Sequence, residues 1–435
     1  MPLLQVRAVV HVCKIPFPTI QRLLYHSQMT DEMILDSRYS WTRLGITLVI
    51  ALVGNVGMWA IIVIMPAVQL EFGVDRADAS IPYTMTMVGF ALGNLLIGRA
   101  VDRFGITTAL VGAAVTLGSG FALAAASGSI ILLCMMQFVV GFGTAASFGP
   151  LIADISHWFY HRRGVAVAIT ASGNYLSGAI WPLVLSGILS DFGWRTAYMV
   201  LAALALLLII PLAMLLKRRL PDEAAAHAQR MSAANARSVS FSPRTLQIML
   251  GIAGIGCCIA MSMPQVHIVS YCVDLGYGPA VGAEMLSLML MGGVVSRLLS
   301  GFLADRLGGV ITLLIGSMLQ CIALFLYLPF DGMVPLYIVS LIFGLSQGGI
   351  VPSYAVIVRE YLPPREAGAR VGFVIMATII GMALGGWMSG WIYDLTGSYR
   401  MAFLNGIAWN FLNIAIMSLL LFRSRTRREA AVPAI

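Results

Sequence analysis

Arg297 is the residue in this 435-residue chain whose setting most demands a chemical reason. It stands in the apolar run Gly292 to Gly301, which holds no other charge. A planar guanidinium can grip a carboxylate through two parallel hydrogen bonds, and it keeps its charge at any physiological pH. Placing an arginine inside an apolar span costs at least about 2.5 kcal/mol on insertion scales, so such a residue normally faces a bundle interior or water. The competing reading is snorkelling, because Arg297 lies roughly 10 Å at helical rise from the nearer end of its span. His267 and Tyr271 are four residues apart and so share one helix face. A histidine there can take a proton or donate to a carboxylate, or can simply be a neutral partner within the bundle. Asn55, Asn174, Tyr175 and Gln347 are uncharged polar groups inside apolar runs. Each can bind a substrate or link two helices, a link being worth about 0.6 kcal/mol on average.

These residue types suit capture of a small anion rather than bond-making. The chain has no Gly-Lys-Ser/Thr phosphate loop, no His-Glu-x-x-His pair and no Ser-His-Asp set. Its six cysteines show no metal spacing and read as small apolar residues. An enzyme, direct ATP drive and a cofactor are therefore not expected.

The elements that must position these groups follow from composition. The chain is 59% hydrophobic and only 11% charged, about half the charged fraction of a soluble protein. Apolar runs of about 20 residues, the length that crosses a hydrocarbon core, recur throughout. Twelve spans are predicted, at about 45–69, 80–100, 106–126, 129–153, 164–189, 196–216, 246–273, 280–304, 310–329, 333–358, 367–393 and 399–422. Residues 1–44 form an N-terminal extension in which Arg7, Lys14 and Arg22 precede the first acid, Asp31, with Met29 or Met33 a natural alternative start. The one long polar connection, 217–245, separates two six-span halves, 45–216 and 246–422, and a tail follows at 423–435.

Orientation follows from the basic residues. Of the 27 lysines and arginines, all but Arg297, Arg76, Arg195 and Arg400 fall on the side of the termini and the central connection. That asymmetry puts both termini in the cytoplasm and explains the net charge of +8 without nucleic-acid binding. Glu71, Asp75, Asp78, Asp191, Asp274, Glu284, Asp331 and Asp394 mark the opposite, acidic side.

The two halves repeat one another. The turn Gly98-Arg99-Ala100-Val101-Asp102-Arg103-Phe104-Gly105 returns 203 residues later as Gly301-Phe302-Leu303-Ala304-Asp305-Arg306-Leu307-Gly308. Gly141 pairs with Gly344, Arg162 with Arg365 and Asp191 with Asp394 at the same offset. Arg297 has no such copy, since the equivalent position is Asn94. Two parallel six-span repeats facing one another around a central cavity are the design of an alternating-access carrier. Asp102 and Asp305 stand where a carboxylate can meet a neighbouring helix N-terminus. Pro150, Pro182, Pro264 and Pro352 are expected to break spans four, five, seven and ten.

The duplicated turn resembles the signature loop of the major facilitator superfamily, Gly-x-Leu-Ala-Asp-Arg-x-Gly, with the second copy the better match. The resemblance covers about residues 45–425. It implies an all-α membrane protein with twelve transmembrane helices in two pseudo-symmetric halves. It also implies a gating role for Gly98, Asp102, Arg103 and Gly105, and for Gly301, Asp305, Arg306 and Gly308. Within that superfamily, Trp158-Phe159-Tyr160-His161-Arg162-Arg163-Gly164-Val165-Ala166 resembles the start of span five in the monocarboxylate transporters and the related oxalate/formate antiporters. Arg297 falls where those families place a substrate-binding arginine. Three departures stand out. Gly54-Asn55-Val56-Gly57-Met58-Trp59 only loosely follows the family's first-span element, position 293 is glycine where symporters often carry an acid, and span eleven has no lysine.

The expectation is a secondary transporter of a small organic anion, foremost a monocarboxylate, in the plasma (inner) membrane. Arg297 binds the carboxylate, helped by His267, Tyr271, Asn55, Asn174 and Gln347, and coupling is by proton symport or anion exchange. The functional unit is expected to be a monomer in the lipid bilayer. The alternatives are a carrier of a dicarboxylate, aromatic acid or drug-like compound, and a transporter-like sensor. The segments 217–245 and 423–435 are too short for an ordinary signalling domain, which disfavours the sensor. A single buried charge does not resemble a multi-ion pore, which disfavours a channel.

Overall fold

Ser37 starts the first helix by accepting a hydrogen bond from the Ser40 N–H at 3.3 Å. Ser129 and Ser242 begin the fourth and seventh spans in the same way. The computed structural model describes residues 35–159, 162–218, 242–362 and 367–430. Positions 102, 157, 163, 164, 305, 359, 367–369 and 424–430 are described by their backbone alone. Residues 1–34 of the expected extension, 219–241 of the central connection and 431–435 of the tail lie outside the described residues.

All regular structure among the described residues is helical. Eleven stretches are long and apolar enough to cross a membrane. One of them, Val165–Leu215, has 51 residues, or roughly 75 Å of helix against a hydrocarbon core of about 30 Å. It turns at Gly193, whose φ of +79° and ψ of 168° are not helical. It is therefore two crossings, and the total is the twelve expected.

Span 1 is Arg38–Gly54 and Val56–Phe72, interrupted at Asn55. Span 2 is Arg76–Phe104 and span 3 Ile106–Ala125. Span 4 is Ile130–Thr144 and Gly149–Trp158. Spans 5 and 6 lie before and after Gly193. Span 7 is Pro243–Asp274, span 8 Pro279–Leu307 and span 9 Gly309–Leu326. Span 10 is Met333–Gln347 and Ile350–Tyr361. Span 11 is Ala367–Thr396 and span 12 Tyr399–Ala430. Span 2 packs along span 11 and span 5 along span 8, the two broadest contacts between the first six spans and the last six, with a smaller one between spans 1 and 7.

The sequence repeat is also a repeat of geometry. A Cβ on Gly141 would stand 2.0 Å from the Thr86 carbonyl oxygen, and one on Gly344 would stand 2.0 Å from that of Met289. Both pairs are 203 residues apart, so spans 2 and 4 touch as spans 8 and 10 do. The duplicated turns end on Gly105 (φ +84°) and Gly308 (φ +86°), conformations that side chains resist. Spans 4 and 10 break at matching places, after Thr144 and after Gln347.

The proline expectation holds for only two of the four positions. Pro150 and Pro352 follow these breaks and lie in the first turn of the resumed helices, where a missing N–H costs nothing. Pro182 and Pro264 break no helix. Each lies inside a continuous one, since in a packed bundle neighbours can satisfy the one carbonyl a proline frees.

Candidate functional site

The break in span 10 prepares a partner for Arg297. In a continuous helix the N–H of residue 352 would bond the Gly348 carbonyl, but that residue is proline and has no N–H. The Gly348 oxygen instead accepts from Arg297 Nε at 3.1 Å. Position 348 must be glycine, because a Cβ there would lie 2.1 Å from the Gly293 carbonyl oxygen. Arg297 Nη1 crosses to the first half and donates to the Ala171 carbonyl at 2.6 Å. The guanidinium carbon stands 4.0 Å from the centre of the Tyr175 ring, a cation–π distance. Arg297 is 6% exposed. In this conformation it does not snorkel: its charge lies between the halves, held by span 5 and span 10. Among the described residues it makes no ion pair. A buried cation without a carboxylate partner is a candidate anion site.

The uncharged candidates sort into two clusters. Asn55 Nδ2 donates to the Ala51 carbonyl at 2.8 Å and the Ser147 carbonyl at 3.0 Å. Its Oδ1 accepts from Asn174 Nδ2 at 3.1 Å. This cluster ties together the breaks in spans 1 and 4 and the middle of span 5. Asn174 immediately precedes Tyr175, and its carbonyl takes the Trp59 indole N–H at 3.0 Å. In the second half Gln347 Oε1 accepts from Gln265 Nε2 at 2.6 Å, and Gln347 immediately precedes Gly348.

His267 and Tyr271 belong elsewhere, at the acidic end. Both pack on Tyr399, with ring centres 5.3 and 5.5 Å away. His267 Nε2 donates to the Gly386 carbonyl at 2.7 Å, which fixes Nδ1 as the acceptor of the Tyr399 hydroxyl at 3.0 Å. That hydroxyl accepts from Arg76 Nη1 at 3.0 Å. Arg76 Nη2 pairs with Asp274 at 2.9 Å. The backbone N–H groups of Arg76 and Ala77 are capped by Asp394 at 3.0 and 2.7 Å, a carboxylate on the positive end of a helix. Arg76 thus latches the start of span 2 to spans 7, 11 and 12. With both ring nitrogens of His267 spent here, the structure does not bring His267 and Arg297 together.

The sequence shows Arg76 and Asp274 only as loop charges, and Asp394 as a loop charge repeated from Asp191, without revealing the latch. The available signal was Arg76 itself, one of just three basic residues on the acidic side. The duplicated turns look different. Arg103 and Arg306 are exposed and make no ion pair among the described residues, Arg103 lying instead over the Phe104 ring at 5.2 Å. Gly98 and Gly301 face open space. The side chains of Asp102 and Asp305 lie outside the described residues. Glu360 is a carboxylate that meets a helix N-terminus here, its oxygens accepting from the Gly309 N–H at 3.3 Å.

The sequence profile of the Major Facilitator Superfamily matches residues 47–333 and again 273–435. The chain is a member of this superfamily. Its relatives narrow the group to the monocarboxylate transporters. Monocarboxylate transporter 11 of Homo sapiens is 31% identical over 327 residues, covering 71% of this chain and 67% of the relative. Monocarboxylate transporter 13 of Bos taurus is 26% identical over 330 residues, 75% of each chain. These superfamily relatives are transporters, not enzymes. The fold also matches the crystal structure of a bacterial homologue of the human lysosomal transporter Spinster, with a TM-score of 0.65 at 15% identity, covering 90% of this chain and 98% of that one.

Proposed function

We propose that this integral membrane transporter carries a small organic anion, foremost a monocarboxylate, by alternating access. The observation that carries the reading is the Arg297 guanidinium, buried between the halves and held by carbonyls and the Tyr175 ring rather than by a carboxylate. One cation suits one negative charge, which disfavours dicarboxylates. The relatives named as monocarboxylate transporters support the same class. The carboxylate docks on Arg297, with Asn55, Asn174 and Gln347 shaping the surrounding wall. The Arg76 latch closes the acidic end and opens in the opposite state, while the turns at Gly98–Gly105 and Gly301–Gly308 gate the basic end.

The basic end faces the cytoplasm together with both termini, the membrane is the plasma membrane, and the monomer is the working unit. Of the two coupling modes, anion exchange is favoured. His267, the candidate that could take a proton, is engaged in the latch, and an arginine cannot shuttle a proton. Uptake of labelled short-chain monocarboxylates into proteoliposomes, with and without a pH gradient, tests this. Saturable uptake is expected, faster with a trans anion than with a proton gradient, and abolished in Arg297→Ala. Normal transport by both Arg297→Ala and Arg297→Lys removes the carboxylate clamp.

A further inference from the structure

Each half carries an acid at the same place on its acidic end. Glu71 stands at the end of span 1 and Asp274 at the end of span 7, at the repeat offset of 203. The corner beside the acid is repeated too. Gly193-Trp194-Arg195 leads into span 6 and Gly397-Ser398-Tyr399-Arg400 into span 12, with the glycines at φ +79° and +67°. In the first half the acid is satisfied by its own corner. Glu71 accepts from Trp194 Nε1 at 2.6 Å and from Arg195 Nη1 at 2.6 and 2.8 Å. Arg195 Nη2 donates on to the Ser127 carbonyl at 2.7 Å. In the second half the corresponding acid is taken by a cation from the other half. Asp274 pairs with Arg76 of span 2 at 2.9 Å. Tyr399, in the place of Trp194, also turns its hydroxyl to Arg76. Arg400, in the place of Arg195, is exposed and makes no ion pair among the described residues. The repeat thus supplies Asp274 with a cation of its own half, and this conformation uses the one from span 2 instead.

We propose that Arg76 and Arg400 exchange Asp274 as the acidic end opens. This rests on the reading of Arg76 as a latch. When span 2 withdraws, Asp274 passes to Arg400 and forms within the second half the pair that Glu71 and Arg195 already form within the first. The first corner is the fixed version of the device and the second is the switched version. Asp274 keeps a cation in both states, so part of what the latch loses on opening is recovered. A contact made in only one of two states shifts the balance toward that state. Arg400 therefore favours the open form, and its pull is modest because the new pair is solvent-exposed.

The test is the rate at which a maleimide labels Tyr83→Cys, a buried position in span 2, in the full-length carrier in nanodiscs. Arg400→Gln should slow labelling about threefold, the worth of one exposed pair. Arg400 is exposed in the closed state, so the substitution spares the fold. Arg400→Lys keeps the charge and should restore the rate. In an Asp274→Asn background Arg400→Gln should change nothing, because its partner is gone. Arg76→Ala is the control for the latch and should raise the rate strongly. An unchanged rate in Arg400→Gln, or the same fall with Asp274→Asn present, overturns the exchange and leaves the latch standing. No rise in Arg76→Ala overturns the latch and the exchange together.

Discussion

Two arginines cross between the halves, one in each of the two broadest contacts between them, and they are partnered differently. Arg76 reaches from span 2 into the second half and finds a carboxylate, Asp274, and a hydroxyl, Tyr399. Arg297 reaches from span 8 into the first half and finds a backbone carbonyl and an aromatic face. A cation matched with a carboxylate is neutralised and serves as a fastener. A cation held only by dipoles keeps an unmet demand for an anion.

Neither arginine is duplicated. The position equivalent to Arg76 is Pro279, which has no N–H to offer. Asp191, the counterpart of the capping Asp394, accepts instead from its neighbour Ser190 at 3.1 Å. The position equivalent to Arg297 is Asn94, which bonds the Phe90 carbonyl of its own helix at 2.9 Å. The helices and their close contacts are thus shared by both halves, while each interface received its own charged device.

The comparison can be broken at the latch. Arg76→Ala leaves the Asp274 side chain, 24% exposed, without its cation, a loss between the roughly 1 kcal/mol of an exposed pair and the roughly 3 kcal/mol of a buried one. It should open the acidic end. A cysteine introduced at Tyr83, a buried position in span 2, should then react about 100-fold faster with an impermeant maleimide than in the Arg76 background. Adding Asp274→Ala should recover part of that change, giving a coupling energy of about 1–3 kcal/mol in a double-mutant cycle. Asp394→Asn keeps the shape but weakens the carboxylate cap on span 2. The expected cost is about 1 kcal/mol, seen as a smaller rise in the same labelling rate. Asn174→Ala removes the side-chain bonds to Asn55 and to the Met58 sulfur. Thermal unfolding should register about 0.6 kcal/mol, with the labelling rate unchanged. Equal effects of Arg76→Ala and Asn174→Ala on labelling would remove the distinction between a latch and a structural contact.

Much of the fold was legible because it is written locally. Twelve apolar runs, two copies of one charged turn and a constant offset of 203 need no tertiary information. Arg297 was legible for the same reason: a charge in an apolar run is conspicuous whatever surrounds it. The latch was not, because Arg76 lies 198 residues from Asp274 and 323 from Tyr399. Each partner sits at a span end, where polar residues are ordinary. His267 was misplaced by the same limit. Its four-residue spacing from Tyr271 correctly implied a common face, but nothing in a helical repeat says which neighbour that face meets. The breaks were half legible, since a proline marks where a helix can end without saying whether the bundle ends it there.

The central claim is that the unpaired arginine is the site and the paired one is the fastener. Equilibrium binding of a radiolabelled short-chain monocarboxylate to purified carrier, measured on the unmodified protein, Arg297→Lys and Arg76→Ala, tests it most directly. Arg297→Lys keeps the charge but loses the planar fork, and affinity should fall at least about tenfold. Arg76→Ala should bind within about threefold of the unmodified protein, because it alters which end is open rather than what holds the anion. Unchanged affinity in Arg297→Lys together with lost binding in Arg76→Ala would reverse the two roles and contradict the account.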